Sequence, residues 1–368
     1  MTGLNLEGTR QVELHNVDKE LRAMWGAAAG AESVEPAAPV IRAFALNLVV
    51  YVADRTRLAD ILGVIDRVSA SNPNRAIVLL TDADVDGTDL TTNIRSVCHT
   101  SDKGGKKLCC EQVVVVGGPG TDSVIHSVLP PLLVPDLPVF LWWNHRPDLA
   151  GNVFQRLCKV VDRVIVNSDP YNRQDFDRFA DFVVHGSEEA AISDLNWGRL
   201  TRWREILAQF YDSSQYRVHL GRLNGIELEY ASTGMFPVRP LLLVGWLARC
   251  LGLAPLEKMR QSDNCYRARL RSATDEISVT MTVTAAAGSD SVISNIRLAT
   301  ADDAAFAASR VPRGDFAETM VTLPGAESER RIAKMNANTV EQLLRQELEM
   351  LDRDTLYEES LRMASQLA

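Results

Sequence analysis

Thiol chemistry is the first kind of chemistry that the residue types and their spacing suggest. Cys98 and the pair Cys109-Cys110 lie on either side of a loop rich in glycine and lysine, from Asp102 to Lys107. Nearby positive charge lowers a thiol pKa and favours the reactive thiolate, so these three cysteines are candidates for a reactive or redox-regulated site. Inert thiols are the alternative, and the spacing matches no common zinc pattern. If Cys110 begins a strand, it and Cys109 point to opposite faces, and at most one of them pairs readily with Cys98.

Two other loops carry residues that could hold a ligand. The loop from Gly117 to Ser123 follows a predicted strand and precedes a predicted helix, where backbone amides can bind phosphate. Pro119 removes one such amide, Ser123 stands where a third glycine or alanine is required, and there is no Walker lysine, so an ordinary tight turn is favoured. The segment starting at Asp82 resembles the opening of a calcium loop, but Asn93 stands where calcium requires a bidentate glutamate.

Of the six histidines, neither His126, in an apolar helix, nor His145, after Trp143-Asn144, has a local Ser, Cys or Asp arrangement typical of a catalytic triad. We therefore expect no catalytic residues, no metal site and no cofactor.

Residues suited to protein recognition are concentrated in one block. Tryptophan and arginine are enriched at the energetic centres of protein interfaces. Five of them fall within eight residues at the start of a predicted helix from Asp194 to Asp212: Trp197, Arg199, Arg202, Trp203 and Arg204. The block predicts a partner-binding surface, with internal packing between two domains as the alternative.

Two further groups are candidates for partner binding. Trp142 and Trp143 end a predicted strand, so we expect one to pack in the core, and the other is a candidate for exposure as a ligand wall or interface anchor. Arg267, Arg269 and Arg271 alternate with other residues in a predicted strand, which places three cations on one face. That face is either simply solvated or a site for an acidic partner surface or a phosphorylated ligand.

The elements that must position these residues change character along the chain. Residues 1–39 are interpreted as a flexible N-terminal arm. Residues 40–190 alternate apolar runs with amphipathic segments, which predicts a Rossmann-like α/β domain with a mainly parallel sheet. Residues 191–240 are predicted to form a connecting helix and linker. Residues 241–368 are predicted to form a smaller α+β domain, in which one face of an antiparallel sheet is exposed to solvent. This domain ends in a long C-terminal helix that is broken near Asp352 to Asp354.

The composition narrows the possible function classes. With 368 residues, of which 46% are hydrophobic and 24% charged, the chain is expected to be a soluble protein of about two domains. A net charge of -9 disfavours nucleic-acid binding. There is neither a signal peptide nor an apolar run of the ~18 residues that a membrane helix requires, so we expect a cytoplasmic protein without membrane contact. Structural disulfides are not expected in that reducing compartment.

Three sequence blocks in order carry a family resemblance: Cys98-His99 to Cys110-Glu111, Asp136-Leu-Pro-Val-Phe-Leu-Trp-Trp143, and above all Asp194-Leu-Asn-Trp-Gly-Arg-Leu-Thr-Arg-Trp-Arg-Glu205. They resemble the glucose-6-phosphate dehydrogenase assembly protein family, OpcA, and the cysteines around the lysine-rich loop look like its cyanobacterial branch. The likeness extends from about Val40 to the C-terminus.

The resemblance implies a non-catalytic assembly factor and allosteric activator that binds the glucose-6-phosphate dehydrogenase oligomer and raises flux into the oxidative pentose phosphate pathway. It also implies control by thioredoxin, for which Cys98, Cys109 and Cys110 are the candidates, because the C-terminal third contains no closely spaced cysteine pair. The alternative is a sugar-phosphate- or nucleotide-binding enzyme or sensor that uses the α/β domain, with the Gly117 loop and the Trp142 edge as its pocket.

Overall fold

The computed structural model describes residues 9–30, 40–42, 44–85, 90–100, 107–186, 190–232, 236–285, 292–311, 314–335 and 339–368. The chain divides into two compact units, each assembled from separate stretches of sequence. The first unit contains Met1–Asn167, Glu188–Ser193 and Val340–Arg353. The second contains Ser168–Ser187, Asp194–Thr339 and Asp354–Ala368.

The first unit is built on a nine-stranded sheet. Its strands are β1 (Arg10–Val12), β2 (Val40–Arg42), β3 (Leu46–Val52), β4 (Asn74–Thr81), β5 (Leu90–Thr100), β6 (Lys107–Gly117), β7 (Val139–Trp143), β8 (Arg163–Val166) and β9 (Ala191–Asp194). Its helices are α1 (Val17–Gly30), α2 (Leu58–Ser69), α3 (Ile125–Val128), α4 (Asn152–Cys158) and, much later in the chain, α9 (Val340–Glu347).

The sheet of the first unit is mainly parallel. Its strand order is β1-β5-β6-β4-β3-β7-β8-β9, and β2 also pairs with β6. The strands from β6 through β4, β3 and β7 to β8 run parallel to their neighbours, while β5 is antiparallel to both β1 and β6. Every residue of β3, β7 and β8 is buried, as expected for the apolar centre of a parallel sheet. The predicted α/β architecture is confirmed.

The N-terminal segment corrects the prediction of a flexible arm. Strand β1 pairs with β5, placing Arg10 opposite Ile94 and Val12 opposite Thr92. Helix α1 then buries Val17 and Leu21. Because residues 10–30 supply a strand and a helix with buried apolar side chains, this part of the predicted arm is attached to the first unit; residues 1–8 and 31–39 lie outside the described ranges.

The second unit is built on an eight-stranded sheet of order β11-β12-β13-β10-β14-β15-β16-β17. The strands are β10 (Leu223–Ser232), β11 (Ala254–Ser262), β12 (Cys265–Arg271), β13 (Glu276–Ala285), β14 (Val292–Thr300), β15 (Ala305–Arg310), β16 (Phe316–Thr322) and β17 (Glu329–Lys334). The helices are α5 (Arg173–Asp181), α6 (Leu195–Phe210), α7 (Ser214–Arg217), α8 (Val238–Cys250) and α10 (Thr355–Leu367). All pairs are antiparallel except β10 with β13.

This second sheet has one buried face and one open face, as predicted. Val279 and Met281 of β13 are buried, and so are Ile226 and Leu228 of β10 and Phe306 of β15. On the other face, Glu227 of β10 and Arg297 of β14 are exposed and form an ion pair at 3.1 Å, while β15 contributes the small side chains of Ala305 and Ala307. We call this side of the eight-stranded sheet the open face.

Helices α6, α8 and α10 contact the sheet of the second unit and each other. The closest approach is between α8 and α10, at Gly245. A Cβ atom added there would lie 2.3 Å from the carbonyl oxygen of Ser360 and 2.9 Å from the amide nitrogen of Ala364. Only glycine allows the two helix backbones to approach so closely.

The predicted break in the C-terminal helix is confirmed. Helix α9 ends at Glu347 and α10 begins at Thr355, with the Asp354 carboxylate accepting a hydrogen bond from the Tyr357 amide at 2.9 Å as its cap. The two helices belong to different units, since α9 contacts α2 and α10 contacts α8. The boundaries of the compact units therefore differ from the predicted domain boundaries. The predicted boundaries concern domains that fold independently, and they stay a prediction.

No helix in the described ranges is both long and apolar enough to cross a membrane.

Candidate partner-binding surface

The tryptophans of the block that starts at Asp194 are buried. Trp197 and Trp203 lie on α6 and are each only 4% exposed. The Trp197 indole nitrogen donates to the Asp354 carboxylate at 2.7 Å, and its ring contacts Tyr357 and lies beneath the Arg204 guanidinium, 3.5 Å from the ring centroid. Both tryptophans therefore stabilise the second unit from within, and neither offers its ring to a partner.

The three arginines of this block are half-buried and have partners within the second unit. Arg199 donates to the Asn196 side chain at 3.0 Å, and Arg204 donates to the Thr201 hydroxyl at 2.9 Å. Arg202 donates to the Glu205 carboxylate at 2.7 Å and to the carbonyl oxygen of Lys334. The sequence signal for internal packing is the apolar pattern along α6, which buries Leu200, Ile206, Leu207 and Phe210 together with the tryptophans.

A buried polar network fixes the start of α6. Asp194 is 1% exposed, caps the helix through the Asn196 amide at 3.0 Å, and accepts further hydrogen bonds from the amide and hydroxyl of Ser168. The Asn196 side chain donates to the Ser168 hydroxyl at 3.0 Å and accepts from Arg239 at 2.7 Å. Arg239 in turn forms an ion pair with Asp169 at 2.9 Å.

Burial dominates the electrostatics of this network. Removal of the Asp194 carboxyl from water raises its pKa, and the hydrogen bonds from Ser168 and Asn196 offset only part of that shift. A carboxyl so enclosed, with its oxygens engaged by neighbouring donors, is suited to hold the helix end in place.

Trp142 and Trp143 are both buried, at 2% and 4% exposure, so the hypothesis that one of them is exposed is wrong. The Trp143 ring stacks on Tyr51 with centroids 4.0 Å apart and contacts the edge of Phe154. Because β7 lies inside the sheet between β3 and β8, side chains on both of its faces are covered.

Arg267, Arg269 and Arg271 are exposed on the open face of the second unit, as the strand prediction required. They lie on β12 opposite Thr280, Ser278 and Glu276 of β13. Arg269 forms an ion pair with Glu276 at 3.1 Å, whereas neither Arg267 nor Arg271 has a carboxylate within ion-pair distance in the part of the chain that the structure describes.

The edge strand β11 adds a cation that the sequence analysis missed. Arg260 is exposed and pairs directly with Arg267 across the β11–β12 ladder. Like charges placed opposite each other destabilise a sheet, so this pair has no evident value for folding. We call Arg260, Arg267, Arg269 and Arg271 the arginine patch; it is the strongest candidate for contact with an acidic partner.

The cysteines behave differently from the prediction of a thiolate site. Cys98 of β5 and Cys109 of β6 lie directly opposite each other and form a disulfide, contrary to the expectation of no structural disulfide. Cys110 points to the other face, as the strand geometry predicted; its thiol is buried, and burial raises its pKa. Cys98 is exposed, so the disulfide is accessible to a reductant from this side.

The glycine loop after β6 is explained by packing. The space where a Gly117 side chain would lie is filled by Thr121 and Leu90, at 2.4 and 2.7 Å from an added Cβ. The Thr121 hydroxyl donates to the Gly118 carbonyl at 2.7 Å and closes the turn internally. Of the calcium-like segment, the described part has Asp82 buried and bonded to Arg55 at 3.2 Å, and the described ranges hold no cluster of three or more metal-ligating side chains.

Two family models match the chain in consecutive segments. The model of the glucose-6-phosphate dehydrogenase subunit N-terminal domain matches residues 65–180, and that of the C-terminal domain matches residues 190–361. This chain belongs to the OpcA family. Membership identifies the family from which a function can be proposed, and it confirms the resemblance noted in the sequence blocks.

The similar curated proteins come from cyanobacteria. OpcA of Nostoc punctiforme is 31% identical over 204 residues, which cover 54% of this chain and 42% of that protein. OpcA of Synechocystis is 31% identical over 197 residues, which cover 53% of this chain and 40% of that protein. Both are assigned by name to the OxPP cycle. The matched part spans about two fifths of these relatives.

Solved structures show a distant likeness in fold. An NAD-binding oxidoreductase from Klebsiella pneumoniae has a TM-score of 0.46 at 9% identity, covering 88% of this chain and 94% of that one. Scyllo-inositol dehydrogenase from Lactobacillus casei has a TM-score of 0.44 at 8% identity with the same coverage. At these values the likeness carries no conclusion about activity.

Proposed function

We propose that this chain is a non-catalytic, cytoplasmic assembly subunit that binds glucose-6-phosphate dehydrogenase, promotes its active oligomer and raises flux into the oxidative pentose phosphate pathway. The observation that carries the proposal is the match of both family domains, in order, to residues 65–180 and 190–361. The buried polar network around Asp194 holds a helix end through its own hydrogen bonds, which agrees with a structural role.

Activation by such a subunit requires a difference in affinity. A partner that binds the active oligomer more tightly than the inactive form shifts the population by that difference in binding free energy, typically ~1 to 3 kcal/mol for allosteric couplings. No chemistry by the subunit itself is needed.

The arginine patch is the surface that we propose for contact with the dehydrogenase. Four guanidinium groups lie exposed on two neighbouring strands. Arg269 has carboxylate partners in Glu257 and Glu276, whereas Arg267 faces Arg260, and among the described residues neither of these two forms an ion pair. Guanidinium groups bind carboxylates in a planar, two-bond geometry, so an acidic surface of the enzyme fits this patch. Trp142, Trp143, Trp197 and Trp203 are buried and would contribute to binding only through the stability of the fold.

The Cys98–Cys109 disulfide is the place where we propose that redox control acts. In a reducing compartment an exposed disulfide is more often redox-sensing than structural. A dithiol reductant of the thioredoxin class would attack from the side of exposed Cys98, leaving Cys110 buried on the other face.

Enzyme kinetics with purified proteins tests the proposal. The maximal rate and substrate response of glucose-6-phosphate dehydrogenase are measured with and without this chain, and the oligomeric state of the enzyme is followed by light scattering. We expect activation together with a larger enzyme species. An unchanged rate and an unchanged oligomer at saturating concentrations of the chain would refute the proposal.

A further inference from the structure

We infer that the outer edge of β17 is a second docking site, which binds an extended acidic segment of another protein by adding it to the sheet as a strand. The segment is assigned to glucose-6-phosphate dehydrogenase, and this assignment rests on the function proposed above. The inference concerns a different part of the second unit from the arginine patch, because β12 and β17 lie at opposite ends of the sheet order.

Strand β17 presents backbone groups suited to pairing. It is the last strand of the sheet, and no described strand pairs with its outer edge. The Met335 amide donates to the Asp315 carbonyl, which points the backbone of Met335 towards β16. Since the direction alternates along an antiparallel strand, the N–H and C=O groups of Arg330, Ile332 and Lys334 point outwards.

Arg202 supports this assignment of the strand edges. Its guanidinium donates to the carbonyl oxygen of Lys334, one of the outward groups, and so closes one end of the edge. The outward amides of Arg330 and Ile332 take no part in this contact with Arg202.

A groove lies beside the edge, between α6 and the last two strands. It encloses about 300 Å³. Ile206 and Phe210 of α6, Val321 of β16 and Tyr216 form its apolar part, all of them buried. Arg202, Gln209 and Arg331 are among the polar residues that line it. In strand addition the backbone supplies affinity, and pockets for alternate side chains supply specificity, so the groove fits an apolar side chain of the added strand.

The charge of the edge favours an acidic occupant. Strand β17 carries three cations, Arg330, Arg331 and Lys334, in a chain whose net charge is -9. Two carboxylates offset part of this charge, since Glu318 of β16 pairs with Arg330 at 3.5 Å and Glu329 pairs with Arg331 at 3.2 Å. Carboxylates on an added strand would lie opposite or beside these cations, and opposite charges across a strand pair stabilise it.

A second copy of β17 fits this edge poorly. Antiparallel self-pairing about a two-fold axis normal to the sheet places Arg331 opposite its own copy when the axis passes through Arg331. With the axis at Arg330, Arg330 lies opposite its own copy, although each Arg331 then lies opposite a Glu329. With the axis at Ile332, Arg330 lies opposite Lys334. Like charges directly opposite destabilise the pair, which argues for a heterologous strand.

Proline at position 332 tests the site directly. Ile332→Pro removes an outward N–H and adds a ring at the edge, while the bonds to β16 remain, because proline is tolerated where the amide faces away from the sheet. Ile332→Ala is the matched variant: it removes the same exposed side chain and keeps the amide. The dissociation constant for glucose-6-phosphate dehydrogenase is measured for both variants and for the unsubstituted chain, after circular dichroism has established that each is folded.

We expect Ile332→Pro to bind the dehydrogenase at least about tenfold more weakly than Ile332→Ala. In the unsubstituted chain, hydrogen exchange at the amides of residues 330–334 is expected to slow when the enzyme is added, a measurement that stands even if the proline variant misfolds. Equal affinity of the two variants, or unchanged exchange in a complex that does form, would overturn the docking site and leave the proposed function intact. No binding by the unsubstituted chain would refute the proposed function and the occupant named here.

Discussion

At the scale of single residues, the buried carboxyl of Asp194 makes stability depend on pH. Burial raises its pKa in the folded chain above the ordinary value, so its contribution is fully present below that ordinary value and is lost as pH rises through the raised one. Asp194→Asn remains neutral, and its amide oxygen can accept from the amides of Ser168 and Asn196. We expect the original chain to lose stability relative to Asp194→Asn as pH rises above the ordinary pKa of an aspartate, measured by urea denaturation at several pH values.

The pKa of Asp302 is shifted in the opposite direction to that of Asp194, so its effect on stability has the opposite dependence on pH. A hydrogen bond from the Thr300 hydroxyl is the main cause that lowers its pKa, with His219 adding to the effect. Its contribution to stability is therefore present above the ordinary pKa and is lost as pH falls through the lowered pKa.

Stability curves for Asp194→Asn and the original chain that stay parallel across the pH range would contradict the assignment at Asp194.

Trp203 decides between internal packing and a surface role for the tryptophan block. Because its side chain is buried, Trp203→Ala should lower the free energy of unfolding by about 3 to 5 kcal/mol. Glu205→Ala on the same helix removes an exposed ion pair with Arg202 and should cost less than about 1 kcal/mol. Unchanged stability of Trp203→Ala combined with lost binding of the dehydrogenase would instead indicate a surface contact.

The chemistry of these side chains could not be assigned from sequence alone. Tryptophan and arginine are enriched at interfaces, but a buried tryptophan with a hydrogen-bond partner has the same sequence signature. Trp197 finds its partner in Asp354, far along the chain, and local spacing contains no information about that contact. The arginines of β12 were predictable because alternation in a strand depends only on neighbouring residues.

At the scale of elements, the approach of α8 to α10 gives a sharp test at Gly245. Gly245→Ala places a Cβ against the backbone of α10 and should destabilise the fold by about 1 to 3 kcal/mol or more. Gly63→Ala is the matched control in α2, where the nearest atom is the flexible end of Arg67 at 3.5 Å. There alanine should stabilise by about 0.5 to 1 kcal/mol through its higher helix propensity. Thermal unfolding of both variants measures the contrast, and equal shifts would contradict the close packing.

The disulfide between β5 and β6 predicts the number of thiols that can be titrated before and after reduction. Of the six cysteines, four are not disulfide-bonded: Cys110, Cys158, Cys250 and Cys265. Thiol titration in denaturant should find four thiols before reduction and six afterwards, and reduced thioredoxin should produce the same change in the native protein. Reduction should lower stability by about 3 kcal/mol if the chain-entropy treatment of a loop this short holds. Six thiols in the unreduced protein would remove the disulfide and the redox proposal with it.

Strands are predictable from sequence where apolar residues run together, as in β8, or alternate with polar ones, as in β13. β15 and β17 cannot be recognised in this way because the first is rich in alanine and the second in charge, and both become strands through pairing with β16. Arg163 of β8 shows the same limit. It is fully buried because the carbonyl groups of Met350 and Asp352 accept its hydrogen bonds, and these residues lie more than half of the sequence away.

At the scale of the whole molecule, the sign of the charge predicts how binding responds to salt. The chain has a net charge of -9, yet the arginine patch concentrates cations on one exposed surface. If this patch binds an acidic face of the dehydrogenase, association should slow and affinity fall as ionic strength rises, since exposed charges are screened over ~10 Å at 0.1 M salt.

A triple variant isolates the contribution of the patch. Arg267→Ser, Arg269→Ser and Arg271→Ser together should weaken binding and flatten its salt dependence. Arg173→Ser removes an exposed arginine from α5 and should leave the salt dependence unchanged. Surface plasmon resonance at several salt concentrations makes the comparison, and an unaltered salt slope in the triple variant would place the contact elsewhere.

The interleaving of the two units along the chain has a consequence for biosynthesis. Helix α9 completes the first unit and α10 completes the second, and both follow every other described element of their unit in the chain. A chain made from its N-terminus can therefore begin either core early but can finish neither before α9 and α10 have been made. Ribosome-bound intermediates of this protein should expose the apolar sides of α2 and α8, which makes them natural clients for chaperones that bind nascent chains.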